Sequence, residues 1–289
     1  MPEARAHQPF PLPPGRYVEL PTRGRTFVHE VDGPPGAPTL LLLHGLGATA
    51  DLNWFATYRP LGDHYRVVAM DHRGHGHGIR VRGRFRLADC ADDAAAVIET
   101  LGIDSPIAVG YSMGGPIAQL LWHRHRERVG GLVLCATARN FTNLARAQVM
   151  LPAMAGLSAA ARFTPAAMRQ LVMSRVLPLD LDDHPVRQWA ISELRQSDPA
   201  TVLAAAASLM RFSSHEWIGE VDVPAAVVIT AHDRLVPPMR QEKLAAAIPG
   251  ATVHVVNGDH DAAGNMGNRF VPVLLDACAS VASRMAVRQ

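Results

Sequence analysis

Gly110-Tyr111-Ser112-Met113-Gly114-Gly115 is the stretch that decides how this chain is read. In front of it stands Ile107-Ala108-Val109-Gly110, an apolar run with the length of a buried strand. Behind it, Pro116-Ile117-Ala118-Gln119-Leu120-Leu121-Trp122 reads as the start of a helix. Ser112 is therefore expected on the turn between strand and helix, where Gly-x-Ser-x-Gly presents a serine hydroxyl as a nucleophile. Such a turn strains the backbone at the serine and crowds the positions two residues away, which gives glycine at 110 and 114 a steric reason. A five-residue match also arises by accident in a chain with 23 glycines, so the surrounding sequence has to supply the setting.

Working outward, Thr39-Leu40-Leu41-Leu42-Leu43, Tyr65-Arg66-Val67-Val68-Ala69-Met70 and Gly131-Leu132-Val133-Leu134-Cys135 are further continuous apolar runs. Unbroken runs mark strands covered on both faces, which in turn predicts a parallel sheet. Between them lie helical segments. The plainest is Leu87 to Leu101, with Leu87, Ala91, Ala94, Ile98 and Leu101 on one face and Asp89, Asp92 and Asp93 loading its N-terminal half. The same alternation resumes with strands at 225–230 and 252–256, a helix around Arg240 to Ala247, and a last helix carrying Phe270, Leu274, Cys278, Val281 and Met285. Tyr17 to Val31 reads as an antiparallel pair, preceded by a proline-rich extended arm over residues 1–16. The pattern predicts an α/β fold: a doubly wound, mostly parallel sheet of about eight strands with helices on both faces.

The alternation breaks over residues 140–216, which are rich in alanine and methionine, helical in pattern and free of any convincing strand. An inserted helical cap over 140–216, within a core formed by 1–139 and 217–289, is the expected organisation. Met150, Met154, Met168, Met173 and Met210 would give the insertion soft apolar surface.

Composition narrows the function. The chain has 289 residues, 48% of them hydrophobic, and a formal net charge of +2. That is enough apolar content for a real core and too little charge to signal nucleic acid. Neither a signal-peptide core near the start nor a membrane-length apolar span is apparent, so no stable membrane insertion and a cytoplasmic location are expected. Cys90, Cys135 and Cys278 are widely spaced inside predicted helices or strands and read as free buried thiols. Arginines alternate from Arg80 to Arg86, a run that could gather an anion, although arginine is this chain's habitual cation, with Lys243 its only lysine. His72, His75 and His77 raise the question of a metal, but no cysteine or carboxylate set accompanies them, and none is expected.

A serine hydroxyl needs an imidazole to take its proton, and the imidazole needs an acid to fix its tautomer. Ligands of open parallel sheets gather beyond the carboxyl ends of the strands, and two residues stand out there. Asp233 follows strand 225–230 in Ala231-His232-Asp233-Arg234, and His260 follows strand 252–256 in Asn257-Gly258-Asp259-His260-Asp261. With His44-Gly45-Leu46-Gly47 after the first buried strand and Asp71-His72-Arg73-Gly74-His75-Gly76 after the second, the chain resembles the α/β-hydrolase superfamily over nearly its whole length. That resemblance implies Ser112 as nucleophile, His260 as general base and acid, and Asp233 as its partner. It also implies an oxyanion hole formed by the backbone N–H groups of Leu46 and Met113. Two departures stand against it. Acids flank His260 on both sides, and His77 occupies a position where relatives often carry serine.

The activity implied is hydrolysis of a carboxylic ester with an apolar acyl or alcohol part, without a cofactor, on a small-molecule substrate. Thioester or enol-lactone hydrolysis, carbon–carbon bond hydrolysis and cofactor-free perhydrolysis are alternatives on the same three residues. A non-catalytic ligand-binding protein of this fold is the alternative from another class. Nothing in the sequence fixes the oligomeric state.

Overall fold

Eight strands form one sheet in the order β1-β2-β4-β3-β5-β6-β7-β8. The structure is a computed structural model that describes residues 10–81, 83–141, 185–265 and 267–287. Strands β1 (Gly15–Leu20) and β2 (Gly24–Val31) pair antiparallel, and β2 pairs antiparallel with β4 (Arg66–Met70). From there the sheet is parallel through β3 (Thr39–Leu43), β5 (Ile107–Tyr111), β6 (Gly131–Cys135), β7 (Ala225–Thr230) and β8 (Thr252–Val256). All the expected strands are present, within two residues of their predicted ends.

Each strand divides its side chains between two cores, because successive residues point to opposite faces. Leu41 and Leu43 enter the core under α3 (Leu87–Thr100) and α4 (Gly114–Arg124), while Leu40 and Leu42 enter the opposite core. That second core is covered by α1 (Ala50–Trp54), α2 (Tyr58–Gly62) and, at the C-terminus, the short helix α8 (Ala262–Asn265) and the long helix α9 (Gly267–Ala286). All four leucines are completely buried, which is why the run Leu40–Leu43 shows no alternation. Among the described residues no helix is long and apolar enough to cross a membrane.

β8 departs from the sequence pattern. Its run Thr252-Val253-His254-Val255-Val256 reads like the interior strands, yet it forms the sheet's edge, and Val253 and Val255 are exposed. In register they stand beside Val227 and Ile229 of β7, which helix α7 (Pro238–Ala245) and the core beneath it cover.

Between β6 and β7 the chain leaves the sheet. Of the expected cap at 140–216, residues 142–184 lie outside the described residues, as do Met150, Met154, Met168 and Met173. The remainder forms α5 (Pro185–Arg195) and α6 (Pro199–Arg211). Asp198 caps α6 by accepting from the Thr201 N–H at 3.0 Å. The excursion is closed at its base by a bridge between Asn140 and Ser213 and by the Ser214 N–H on the Arg139 carbonyl at 2.9 Å.

The three cysteines are free and fully buried, Cys90 in α3, Cys135 in β6 and Cys278 in α9. Burial pushes each thiol well above the usual range, and the Asp93 charge adds to this at Cys90.

Candidate active site

The loops that follow β3, β4, β5, β7 and β8 open at the same end of the sheet, because parallel strands share a direction. Ser112 follows β5 directly, with φ of +51°, a left-handed conformation that only a constrained turn holds for a non-glycine residue. The constraint is visible. The Ser112 N–H donates to the Cys135 carbonyl at 2.9 Å, and the Ser112 carbonyl accepts from the Gly115 N–H at 3.0 Å and Thr137 Oγ1 at 2.8 Å. A Cβ at Gly110 would collide with the Gly114 carbonyl, and one at Gly114 with the carbonyl of Leu43. Both glycines are thus required by the closeness of the turn.

Ser112 Oγ lies 2.8 Å from His260 Nε2, and His260 Nδ1 lies 2.7 Å from Asp233 Oδ2. Since a carboxylate only accepts, Nδ1 carries the proton and Nε2 is left to accept from the serine hydroxyl. Asp233 is itself buried and held. Its Oδ1 accepts from the N–H groups of Leu235 at 2.9 Å and Val236 at 2.7 Å, and its Oδ2 from Thr230 Oγ1 at 2.7 Å and Gln241 Nε2 at 3.2 Å. On the other side, Tyr111 Oη donates to the His260 carbonyl at 2.7 Å. The two acids beside the histidine are engaged elsewhere than at its ring: Asp259 takes the His260 N–H at 2.7 Å and Arg234 Nε at 2.6 Å, and Asp261 takes Asn265 Nδ2 at 2.6 Å.

The loop after β3 is pinned at both polar atoms of Gly45. Its N–H donates to Asn53 Oδ1 at 2.9 Å, and its carbonyl accepts from His44 Nδ1 at 2.8 Å. His44 Nε2 accepts from the His72 N–H at 2.9 Å, so His44 is a neutral imidazole with its proton on Nδ1. Burial, then the neighbouring His72 and His75, hold it well below the ordinary histidine range. Burial likewise pushes His72 down to about 3 and His75 to about 4. Leu46 is carried on this loop, partly buried. Met113 is fully buried at the N-cap of α4, so its N–H lies at a helix N-terminus.

Asp71 fixes the neighbouring turn, accepting from the Ala50 N–H and the His77 N–H, each at 2.8 Å. The unusual His77 therefore serves through its backbone, while its side chain is half-exposed beside Phe27, with ring centroids 5.2 Å apart. Of the arginine run, Arg80 Nη1 reaches the Gln196 carbonyl at 3.5 Å, and Arg82 lies outside the described residues. Trp54 belongs to the core, whereas Phe55 stacks on Phe10 with ring centroids 4.3 Å apart and meets Trp189 of α5 edge-on at 5.3 Å. Sequence reasoning missed Thr230, Gln241 and Thr137, which belong to no motif, and Tyr111, which fills a variable position of the Gly-x-Ser-x-Gly turn.

Residues 38–263 match the model of the alpha/beta hydrolase fold family. The chain belongs to that family. RutD of Agrobacterium fabrum, named as a carbamate hydrolase, is 28% identical over 218 residues, 74% of this chain and 82% of that one. The poly(3-hydroxyalkanoate) depolymerase of Ectopseudomonas oleovorans is 26% identical over 255 residues, 85% of each chain. Among solved structures, the enol-lactonase of Burkholderia xenovorans LB400 superposes with a TM-score of 0.75 at 24% identity, covering 91% of this chain and all of that one. This last likeness is one of fold. The alpha/beta hydrolase reading of the motifs is thereby borne out, and the protein is a hydrolase.

Proposed function

We propose that this alpha/beta hydrolase is a serine hydrolase that cleaves carboxylic esters with an apolar acyl or alcohol part through an acyl-serine intermediate. The observation that carries the reading is the continuous chain Ser112 Oγ, His260 Nε2, His260 Nδ1, Asp233 Oδ2, at 2.8 and 2.7 Å. In this reading His260 takes the Ser112 proton as Oγ attacks the ester carbonyl, and Asp233 stabilises the imidazolium that forms. Leu46 and Met113 supply the backbone N–H donors for the oxyanion. His260 returns the proton to the departing alcohol, then activates water to release the acid. Every step uses the chain's own groups, so no cofactor is needed.

Poly(3-hydroxyalkanoates) are polyesters, and a relative named as their depolymerase, matched over 85% of both chains, supports an ester as the substrate. Residues 140–216 are the cap in this reading, and Val202 of α6, which a Cβ on Gly47 of the loop would approach to 3.8 Å, contributes apolar surface on that side.

The test is labelling by a fluorophosphonate probe together with turnover of p-nitrophenyl esters from acetate to long acyl chains, beside thioesters and a dienone acid. Wild-type protein should label and turn over esters. Ser112→Ala should abolish labelling and lower kcat by about 10⁶-fold. Absence of labelling in folded wild-type protein would sink the serine mechanism, and turnover of the dienone acid alone would sink the ester.

A further inference from the structure

Behind the oxyanion loop lie three carboxylates that the reaction does not use. Asp71 holds the backbone of Ala50 and His77, and Asp51 Oδ1 meets His29 Nε2 at 3.0 Å and Tyr58 Oη at 3.4 Å. Both serve their own part of the core. The third, Glu193, arrives from α5, more than a hundred residues further along the chain. Its Oε2 accepts from Thr49 Oγ1 at 2.8 Å, and its Oε1 from Gln196 Nε2 at 2.9 Å.

Thr49 ends the loop that begins at His44 and carries Leu46. Its Oγ1 also accepts from the Leu52 N–H at 3.1 Å as the N-cap of α1, so one hydroxyl joins loop, helix and Glu193. The link is reinforced alongside. Ser197 Oγ accepts from the Gly76 N–H at 3.2 Å, the Asp198 N–H donates to the Gly74 carbonyl at 3.3 Å, and a Cβ placed on Gly47 would come within 3.8 Å of Val202 Cγ1. The segment from Glu193 to Val202 therefore docks on the same two loops that frame the hole.

We propose that Glu193 is a positioning residue that locks α5 onto Thr49 and so holds the oxyanion loop in its working geometry, making completion of the hole depend on docking of the 185–211 helices. The proposal rests on the serine-hydrolase reading, since the loop's geometry matters only if it carries an oxyanion donor.

The lock is also proton-linked. Burial pushes the Glu193 carboxyl up to about 7; the Thr49 and Gln196 hydrogen bonds oppose this, and the charges of Asp51 and Asp71 add to it. Of the remaining described groups around this cluster, His29 and Tyr58 answer Asp51, His77 Nδ1 stands 3.8 Å from Asp71 Oδ2, and Arg80 reaches the Gln196 carbonyl. An undocked, exposed carboxyl titrates near 4.5. The docked form thus holds the proton more tightly than the undocked form. Docking is strongest below pH 4.5 and loses strength as pH rises through about 7.

Hydrogen exchange of peptides covering 185–211 in the full chain, at pH 5 and pH 8 and corrected for intrinsic rate, reads this lock directly. Wild-type protection should fall by about tenfold or more at pH 8, and Glu193→Gln should keep at pH 8 the protection it has at pH 5. Glu193→Ala and Thr49→Val should each lower kcat for a p-nitrophenyl ester by about tenfold with a smaller change in KM, and the double variant should lose no more than either alone. Wild-type protection that ignores pH, or losses that multiply in the double variant, would overturn the proposal. Failure of the serine reading would show separately, as absent fluorophosphonate labelling of wild-type protein, while the exchange data still report on the lock.

Discussion

Asp233 and Glu193 are two shielded carboxylates beside one site, and they are held in opposite ways. Asp233 sits on the loop that follows β7 and receives five donors, two from the backbone, two from Thr230 and Gln241, and one from His260. A carboxylate has about four lone-pair sites, so the acceptor capacity of Asp233 is filled and its orientation is fixed by its surroundings. Glu193 receives two side-chain donors, faces two other acids and lies on a helix outside the sheet. Partner number and the rigidity of the surroundings, rather than burial alone, separate the two pockets, and burial raises the Glu193 carboxyl to about 7.

The comparison can be broken most sharply at Asp233. Asp233→Asn keeps the shape but presents an amide that can donate where the histidine N–H must be accepted. Its kcat for a p-nitrophenyl ester should fall by about 10⁴-fold with labelling slowed in parallel. A loss below tenfold would mean that the five-donor pocket is not what orients His260. A smaller effect is expected from Gln241→Leu, which removes one donor to Asp233 together with the bonds from Nε2 to the Val236 carbonyl and from the Thr230 N–H to Oε1. Urea unfolding should show a loss of about 1–3 kcal/mol, because buried backbone groups are left unpaired. The mildest change is Gln196→Ala, which takes one of the two donors from Glu193. It should shift exchange protection of α5 by about twofold while leaving urea stability within about 0.5 kcal/mol. A larger stability loss there would make the Glu193 pocket resemble that of Asp233.

Much of this architecture was legible in advance. Runs such as Leu40–Leu43 and Gly131–Cys135 announce buried strands because both faces of each are covered, and the turns that follow them locate Ser112, Asp233 and His260. The order of strands across the sheet is another matter. Thr252–Val256 is nearly as apolar as the interior runs, and no local pattern says that its free side faces solvent at Val253 and Val255. Gln241 escaped notice for a related reason. It belongs to no motif, and only the packing of α7 against β7 brings its amide to Asp233. Glu193 was similarly hidden, since its meaning depends on where α5 docks, a tertiary fact that helical periodicity does not carry.

The three thiols have a use of their own. Cys90 lies in a helix on one face of the sheet, Cys135 in the sheet, and Cys278 in the helix on the opposite face, and burial keeps each protonated and out of reach. A soluble thiol reagent meets none of them until the layer around it opens, so the rate of modification at each position measures how often that layer parts from its neighbours. The chain thus carries three internal clocks, one in each layer.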